Sequence, residues 1–176
     1  MKEGYLQVYT GNGKGKTTAA LGLGLRAVGS GFQVIMFQFL KGIHSSELES
    51  VKMLGDKFQI VRLAESGKFF GALNETEKEK LKKQLQEELK QVREVLENIA
   101  CDLLILDEIM AALHGNLLTV EEICELIDLR PAGMEMVLTG RSAPQEIVER
   151  ADLVTEMNCI KHYMDSGVKA RTGVEK

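Results

Sequence analysis

Residues 10–18 read Thr-Gly-Asn-Gly-Lys-Gly-Lys-Thr-Thr and lie between an apolar run, Tyr5 to Tyr9, and a helix-forming stretch, Ala19 to Arg26. A strand that passes through alternating glycines straight into a helix leaves few folds open. The glycines let successive backbone N–H groups converge on an anion. The helix start adds a positive field. Lys16 supplies a mobile charge and Thr17 a hydroxyl suited to Mg²⁺. Gly11, Asn12, Gly13, Lys14, Gly15, Lys16, Thr17 and Thr18 therefore read as a phosphate-binding loop. The general pattern places a glycine six residues before the lysine, where this chain has Thr10, so its first loop glycine is Gly11.

A loop of this kind works with an acid at the end of another strand. Asp102-Leu-Leu-Ile-Leu-Asp-Glu108 is an apolar strand that delivers two. This is the Walker B arrangement, in which Asp107 acts on Mg²⁺ (or Mn²⁺) directly or through water. Glu108 is placed to reach the metal, a water or a ribose hydroxyl. A further strand, 134–139, is followed by Gly140 and Arg141, where a cation meets phosphate oxygens.

The rest of the chain alternates strand and helix. The near-continuous apolarity of 33–40 suits a parallel strand covered on both faces. Gln38, Lys41, His44 and Ser45 then fall at its carboxyl end, where ligands gather in such sheets. A short helix is expected at 47–54 and a strand at 58–63. Leu81, Leu85, Leu89, Val92, Leu96 and Ile99 recur at spacings of three and four, which makes 75–99 an amphipathic helix. Thr119 with Glu122 is a capping-box signal for a helix to about Leu129. A helix at 144–151, a strand at 153–157 and a polar tail at 158–176 complete the chain; the tail either frays or folds over the site. Gly22 and Gly24 each weaken the first helix by about 1 kcal/mol relative to alanine and are expected to permit close packing on the sheet. Phe69 and Phe70 lie in a glycine-bracketed loop and either pin it to the core or face a ligand. The expected fold class is α/β: one three-layer P-loop NTPase (RecA-like) domain over 1–176, with a mostly parallel sheet of five to six strands.

The composition narrows the partners. The net charge is −4, with no basic tail, so nucleic acid is not favoured. No apolar run reaches the roughly 20 residues needed to span a bilayer. The first strand begins too early for a signal peptide to precede it. Cys101, Cys124 and Cys159 suggest neither a disulfide framework nor a metal site. Structural or surface roles suit His44, His114 and His162. A cytoplasmic location is expected.

The residues alone leave hydrolysis, phosphoryl transfer and nucleotide-gated binding open. They allow a RecA-like ATPase, a small-molecule kinase or an ATP-gated binding module. A wider set of segments narrows this: Gly11 to Ala20 with Arg26, Phe39-Leu-Lys-Gly42, Leu106-Asp-Glu108, Arg130-Pro131, Thr139-Gly-Arg141 and Asp165 to Glu175, in that order. Together they resemble the P-loop-type cob(I)alamin (cob(I)yrinic acid a,c-diamide, or corrinoid) adenosyltransferases over nearly the whole chain, including the shortened loop.

The resemblance implies transfer of the 5′-deoxyadenosyl group of ATP to the Co(I) of a reduced corrinoid, with release of triphosphate. It implies Lys16, Thr17 and Glu108 as catalytic residues, and Thr17, Asp107 and Glu108 as metal contacts. Residues 11–18, Arg26 and Arg141 would hold ATP. It also implies a corrinoid-facing aromatic loop. Family members often carry Gly-Phe-x-Trp there, whereas this chain has Gly67-Lys-Phe-Phe70, so Phe69 and Phe70 are the expected contacts. A homodimer and a flavodoxin-like electron donor follow from the same resemblance. The N-terminal extension that many members place before the loop is a point of departure, and a more open site, or one that depends more on its tail, is expected.

Overall fold

The computed structural model describes residues 2–41, 44–62 and 73–175. Its centre is a six-stranded sheet made of β1 (Leu6–Thr10), β2 (Val34–Gln38), β3 (Phe58–Val61), β4 (Leu103–Asp107), β5 (Glu135–Thr139) and β6 (Leu153–Glu156). Every neighbouring pair is parallel and the order is β3-β2-β4-β5-β1-β6. Between the strands run α1 (Lys16–Gly29), α2 (Glu47–Lys52), α3 (Glu75–Glu97), α4 (Ile109–His114), α5 (Val120–Asp128) and α6 (Gln145–Arg150). The expected α/β class and parallel sheet are thus observed, at the upper strand number.

Alternation along the strands divides the core in two. Leu104 and Leu106 of β4 face the layer that holds α3, α4, α5 and α6. Leu103 and Ile105 face the layer that holds α1 and α2. A period of two sends Asp107 to the second face, the side of α1. The stripe expected in the long helix is buried at Leu81, Leu85, Leu89, Val92 and Leu96. Ile99 departs from it: the helix ends at Glu97, Ile99 has a positive φ of 51°, and its side chain is exposed. The Thr119–Glu122 capping box is present, and a second one at Asn74–Glu77 opens α3.

The two helix glycines behave differently. A Cβ on Gly24 would meet the Phe58 ring at 2.5 Å, so this glycine lets β3 lie against α1. A Cβ on Gly22 would meet nothing within 4 Å, so close packing does not require it.

Candidate nucleotide site

Parallel strands end together, and here the carboxyl ends bring Thr10, Gln38, Asp107 and Thr139 to one edge. The register pairs Gln38 with Asp107, and β5 stands between β1 and β4. That edge opens into a cavity of ≈ 680 Å³, lined among others by Lys14, Lys16, Thr17, Lys41, Glu108 and Arg141.

The loop's shape follows from its glycines. Gly11 and Gly15 have φ of 95° and 119°, the left-handed region that side chains avoid. A Cβ on Gly11 or Gly13 would also meet the Met157 carbonyl oxygen, at 2.4 Å and 2.7 Å. The loop therefore lies flat on the backbone that follows β6, and the Gly13 N–H donates to that same oxygen at 2.6 Å. Thr10, where the general pattern has glycine, accepts a hydrogen bond from the Ala143 N–H at 3.1 Å. The side chain in place of glycine ties the loop to the segment after β5.

Lys16 is buried and donates to the carbonyls of Gly11 (2.7 Å) and Gly13 (2.9 Å). An ammonium has three donors, so one is left for the cavity. Burial lowers the pKa of Lys16, opposed in part by the negative charge of Glu108.

Asp107 is fully buried. Its Oδ1 accepts from the hydroxyls of Thr17 (2.8 Å) and Thr139 (2.7 Å). Its Oδ2 meets the Gln38 amide at 3.3 Å and the Lys41 ammonium at 2.8 Å. Gln38 is fixed in turn by Arg62, whose Nε donates to its Oε1 at 2.6 Å. A carboxylate with this many donors is held rigidly and stays compensated for its lost hydration. Glu108 differs: burial and the neighbouring Asp107 charge raise its pKa, and Lys41, Lys16 and Arg141 oppose that. It holds a positive φ of 61° at the start of α4, while its N–H donates to Thr139 Oγ1 at 2.9 Å. Thr139 thus bonds both acids. Its place at the end of a strand, in the Thr139-Gly-Arg141 segment, is the sequence signal for this, and it assigns the hydroxyl no role of its own.

The chemistry of these groups suits a hard cation. The Thr17 hydroxyl gives its proton to Asp107, which leaves its lone pairs for an ion, and the two carboxylates add oxygen donors. Among the described residues no group of three or more His, Cys, Asp or Glu is placed to hold a metal. Mg²⁺ needs no such cage, because phosphate oxygens and water complete its octahedron.

Asn12, Gly13, Lys14, Gly15, Lys16, Thr17, Thr18, Glu108 and Arg141 all line the cavity. Gly11 joins them through its carbonyl bond to Lys16. Arg26 does not join. It is exposed in the last turn of α1, ten residues beyond Lys16 and about 15 Å along the axis at 1.5 Å per residue. Phe69 and Phe70 lie outside the described residues.

The tail, left open between fraying and folding, covers the site. His162, Tyr163, Met164, Val168, Val174 and Glu175 line the cavity opposite the phosphate loop. Arg171 grips Glu175 through Nε (3.2 Å), Nη2 (2.9 Å) and its backbone N–H (2.8 Å). The Tyr163 hydroxyl bonds the same carboxylate, and the Arg171 guanidinium lies 5.1 Å from the Tyr163 ring centroid. These donors hold the Glu175 pKa down to about 2. Lys14 reaches across from the loop to the Val174 carbonyl (3.3 Å) and to Glu175 (3.9 Å).

Among the described residues no helix is long and apolar enough to cross a membrane. The fold resembles that of the flagellar accessory protein FlaH from Methanocaldococcus jannaschii, with a TM-score of 0.60 at 14% identity, covering 89% of this chain and 72% of that one. In sequence, the chain is 34% identical to a corrinoid adenosyltransferase of Escherichia coli K12 over 175 residues, which is 99% of this chain and 86% of that protein. It is 33% identical to the corrinoid adenosyltransferase CobA of Salmonella typhimurium over 176 residues, 99% and 86% of the two chains. It is 34% identical to a corrinoid adenosyltransferase of Pseudomonas aeruginosa over 175 residues, 99% and 84%. The model of the ATP:corrinoid adenosyltransferase family BtuR/CobO/CobP matches residues 2–175, and the chain belongs to that family.

Proposed function

We propose that this chain transfers the 5′-deoxyadenosyl group of ATP to the Co(I) of a reduced corrinoid and releases triphosphate. The observation that supports this reading is a cavity lined by Lys16, held on the loop carbonyls, and by Thr17, bonded to the buried Asp107 behind it, in a chain of this family.

Co(I) is a strong nucleophile that the acceptor brings with it, so the protein needs no activated Ser or Cys. The cobalt–carbon bond forms as the C5′–O bond breaks, and the electron pair leaves with the triphosphate. The protein's tasks are to position C5′ and to stabilise the charge that develops on the leaving oxygens. Lys16, Lys14, Arg141 and the amides of residues 11–18 do the second. Lys16 is suited to it because its burial shields it from water and strengthens its field. Thr17, Asp107 and Glu108 hold Mg²⁺ or Mn²⁺, which supplies Lewis-acid neutralisation of the phosphates. Glu108, which lines the cavity beside Thr17, would be the second carboxylate to hold that ion.

Phe69 and Phe70 contact the corrinoid. One nucleotide-binding domain spans 1–176. The enzyme works in the cytoplasm as a homodimer and receives electrons from a flavodoxin-like protein.

The test is ATP with chemically reduced cobalamin, followed by absorbance and by product analysis. The expected result is a light-sensitive Co–C bond and inorganic triphosphate, both dependent on the reduced corrinoid. ADP and phosphate formed without regard to corrinoid would overturn the reading.

A further inference from the structure

The ion pair between Lys41 and Asp107 is left unexplained by phosphate binding. Lys41 follows β2 at the active edge, and its Nζ sits 2.8 Å from Asp107 Oδ2. The same ammonium is 3.6 Å from Glu47 Oε1. Lys41 is partly open to the cavity, at 24% side-chain exposure, while Asp107 is at 0%. Two hydroxyls occupy Asp107 Oδ1, while Oδ2 carries the Gln38 amide at 3.3 Å and, closer, the Lys41 ammonium, so Oδ2 is the oxygen that already meets a cation. A divalent ion bound at Thr17 and Asp107 would thus share one carboxylate with a fixed positive charge. At partly buried sites, charges that close repel strongly.

We propose that Lys41 is a built-in counter-cation that makes the divalent-metal site nucleotide-dependent. With Lys41 on Oδ2, the charge of Asp107 is offset and the site binds an ion weakly on its own. A triphosphate changes the balance: it brings several negative charges into the cavity that Lys41 lines. The ammonium then has a better partner than Asp107, and the carboxylate is released to the ion that travels with ATP. The lysine stem is flexible and its head is a compact point charge, so the exchange needs only side-chain rotation. Metal and nucleotide become coupled ligands, each raising the affinity for the other by the same factor. Lys41 is a positioning residue in this scheme.

The proposal rests on the reading that a divalent ion accompanies ATP at Thr17 and Asp107. It does not rest on corrinoid transfer, so absence of triphosphate product would leave it standing. The experiment is Mn²⁺ binding, followed by electron paramagnetic resonance, to the full chain without corrinoid, with and without ATP. Native protein should bind free Mn²⁺ weakly and gain affinity sharply with ATP. Lys41→Met should bind Mn²⁺ without nucleotide about ten-fold more tightly or better, the order expected for removing one charge a few ångströms away. Its gain on adding ATP should shrink. Lys41→Arg should behave like the native chain, because it keeps the charge. If Lys41→Met does not fold, by circular dichroism, Lys41→Gln takes its place in the same comparison. Equal Mn²⁺ affinity of the native and uncharged variants without nucleotide would overturn the proposal, and so would Lys41→Arg behaving like Lys41→Met.

Discussion

The centre of the parallel sheet and its β6 edge are built in opposite ways. β4 has all five residues buried and delivers Asp107 into a ring of four donors from β2, α1, β5 and Lys41. β6 has all four residues exposed, and the chain beyond it stays at the surface, with Ile160 98% exposed and Met164 67%. The tail's polar bonds run mainly within itself, from Arg171 and Tyr163 to Glu175, with Lys14 as a bridge to the loop. The difference teaches where preorganisation resides. Charge stabilisation is a task for fixed dipoles and is built into the densest part of the core. Admission of a large acceptor calls for a wall that gives way, and the tail has few buried contacts to hold it.

The largest effect should come from the rigid centre. Lys16→Ala removes the charge that we propose faces the leaving triphosphate. Loss of one such group from a preorganised site costs about 10²–10³ in rate. We expect kcat/KM for adenosyl transfer to fall at least that far with pre-formed Co(I), while the far-ultraviolet circular dichroism stays native. A loss under ten-fold would mean that the loop side is no more critical than the tail.

The seam between the two halves comes next. Gly13→Ala would put a methyl 2.7 Å from the Met157 carbonyl oxygen, and both partners are backbone. Either the loop or the segment after β6 must move, at about 1–3 kcal/mol, the usual cost of overpacking. For a chain of this size that lowers Tm by about 2–4 °C per kcal/mol. Nucleotide affinity should fall with it, because the loop amides are displaced. A Tm and ATP affinity both equal to those of the native chain would show that the tail does not brace the loop.

Much of the rigid centre is legible because its signals are local. The glycine spacing, the apolar strand ending in Asp107-Glu108 and the Thr119–Glu122 box each lie within nine residues, and each forms the element expected. What stayed hidden depends on long-range register. Thr139 bonds Asp107 from 32 residues away, and only the placing of β5 beside β4 brings them together. Gln38 and Lys41 were readable as active-edge residues, but not as partners of Asp107. Arg26 shows the converse, a residue near the loop in sequence that does not line the cavity. It belongs to the helix that starts in the loop, yet at 1.5 Å per residue a helix carries its later turns away from its own N-terminus. The tail was ambiguous because its sequence has no apolar periodicity. Its order comes from a fork between Arg171 and Glu175, a spacing common on any exposed surface.

The smallest effect should come from the tail itself. Arg171→Ala removes the fork on Glu175 and the contact with the Tyr163 ring. These groups are solvent-accessible, and substitutions at such positions typically change stability by no more than about 0.5 kcal/mol. Tm should therefore hold, in contrast to Gly13→Ala. The tail should loosen instead, with faster amide hydrogen exchange across residues 163–175 and a KM change of a few-fold with little change in kcat. Mild acid is no substitute for the mutation. A carboxyl held down to about 2 keeps its charge above that pH, so the latch contributes above the ordinary carboxylate range and is lost only as pH falls through about 2. Unchanged exchange in 163–175 would show that the fork does not hold the tail. A Tm drop as large as that of Gly13→Ala would make the tail part of the rigid region, and the contrast between the sheet's centre and its β6 edge would fail.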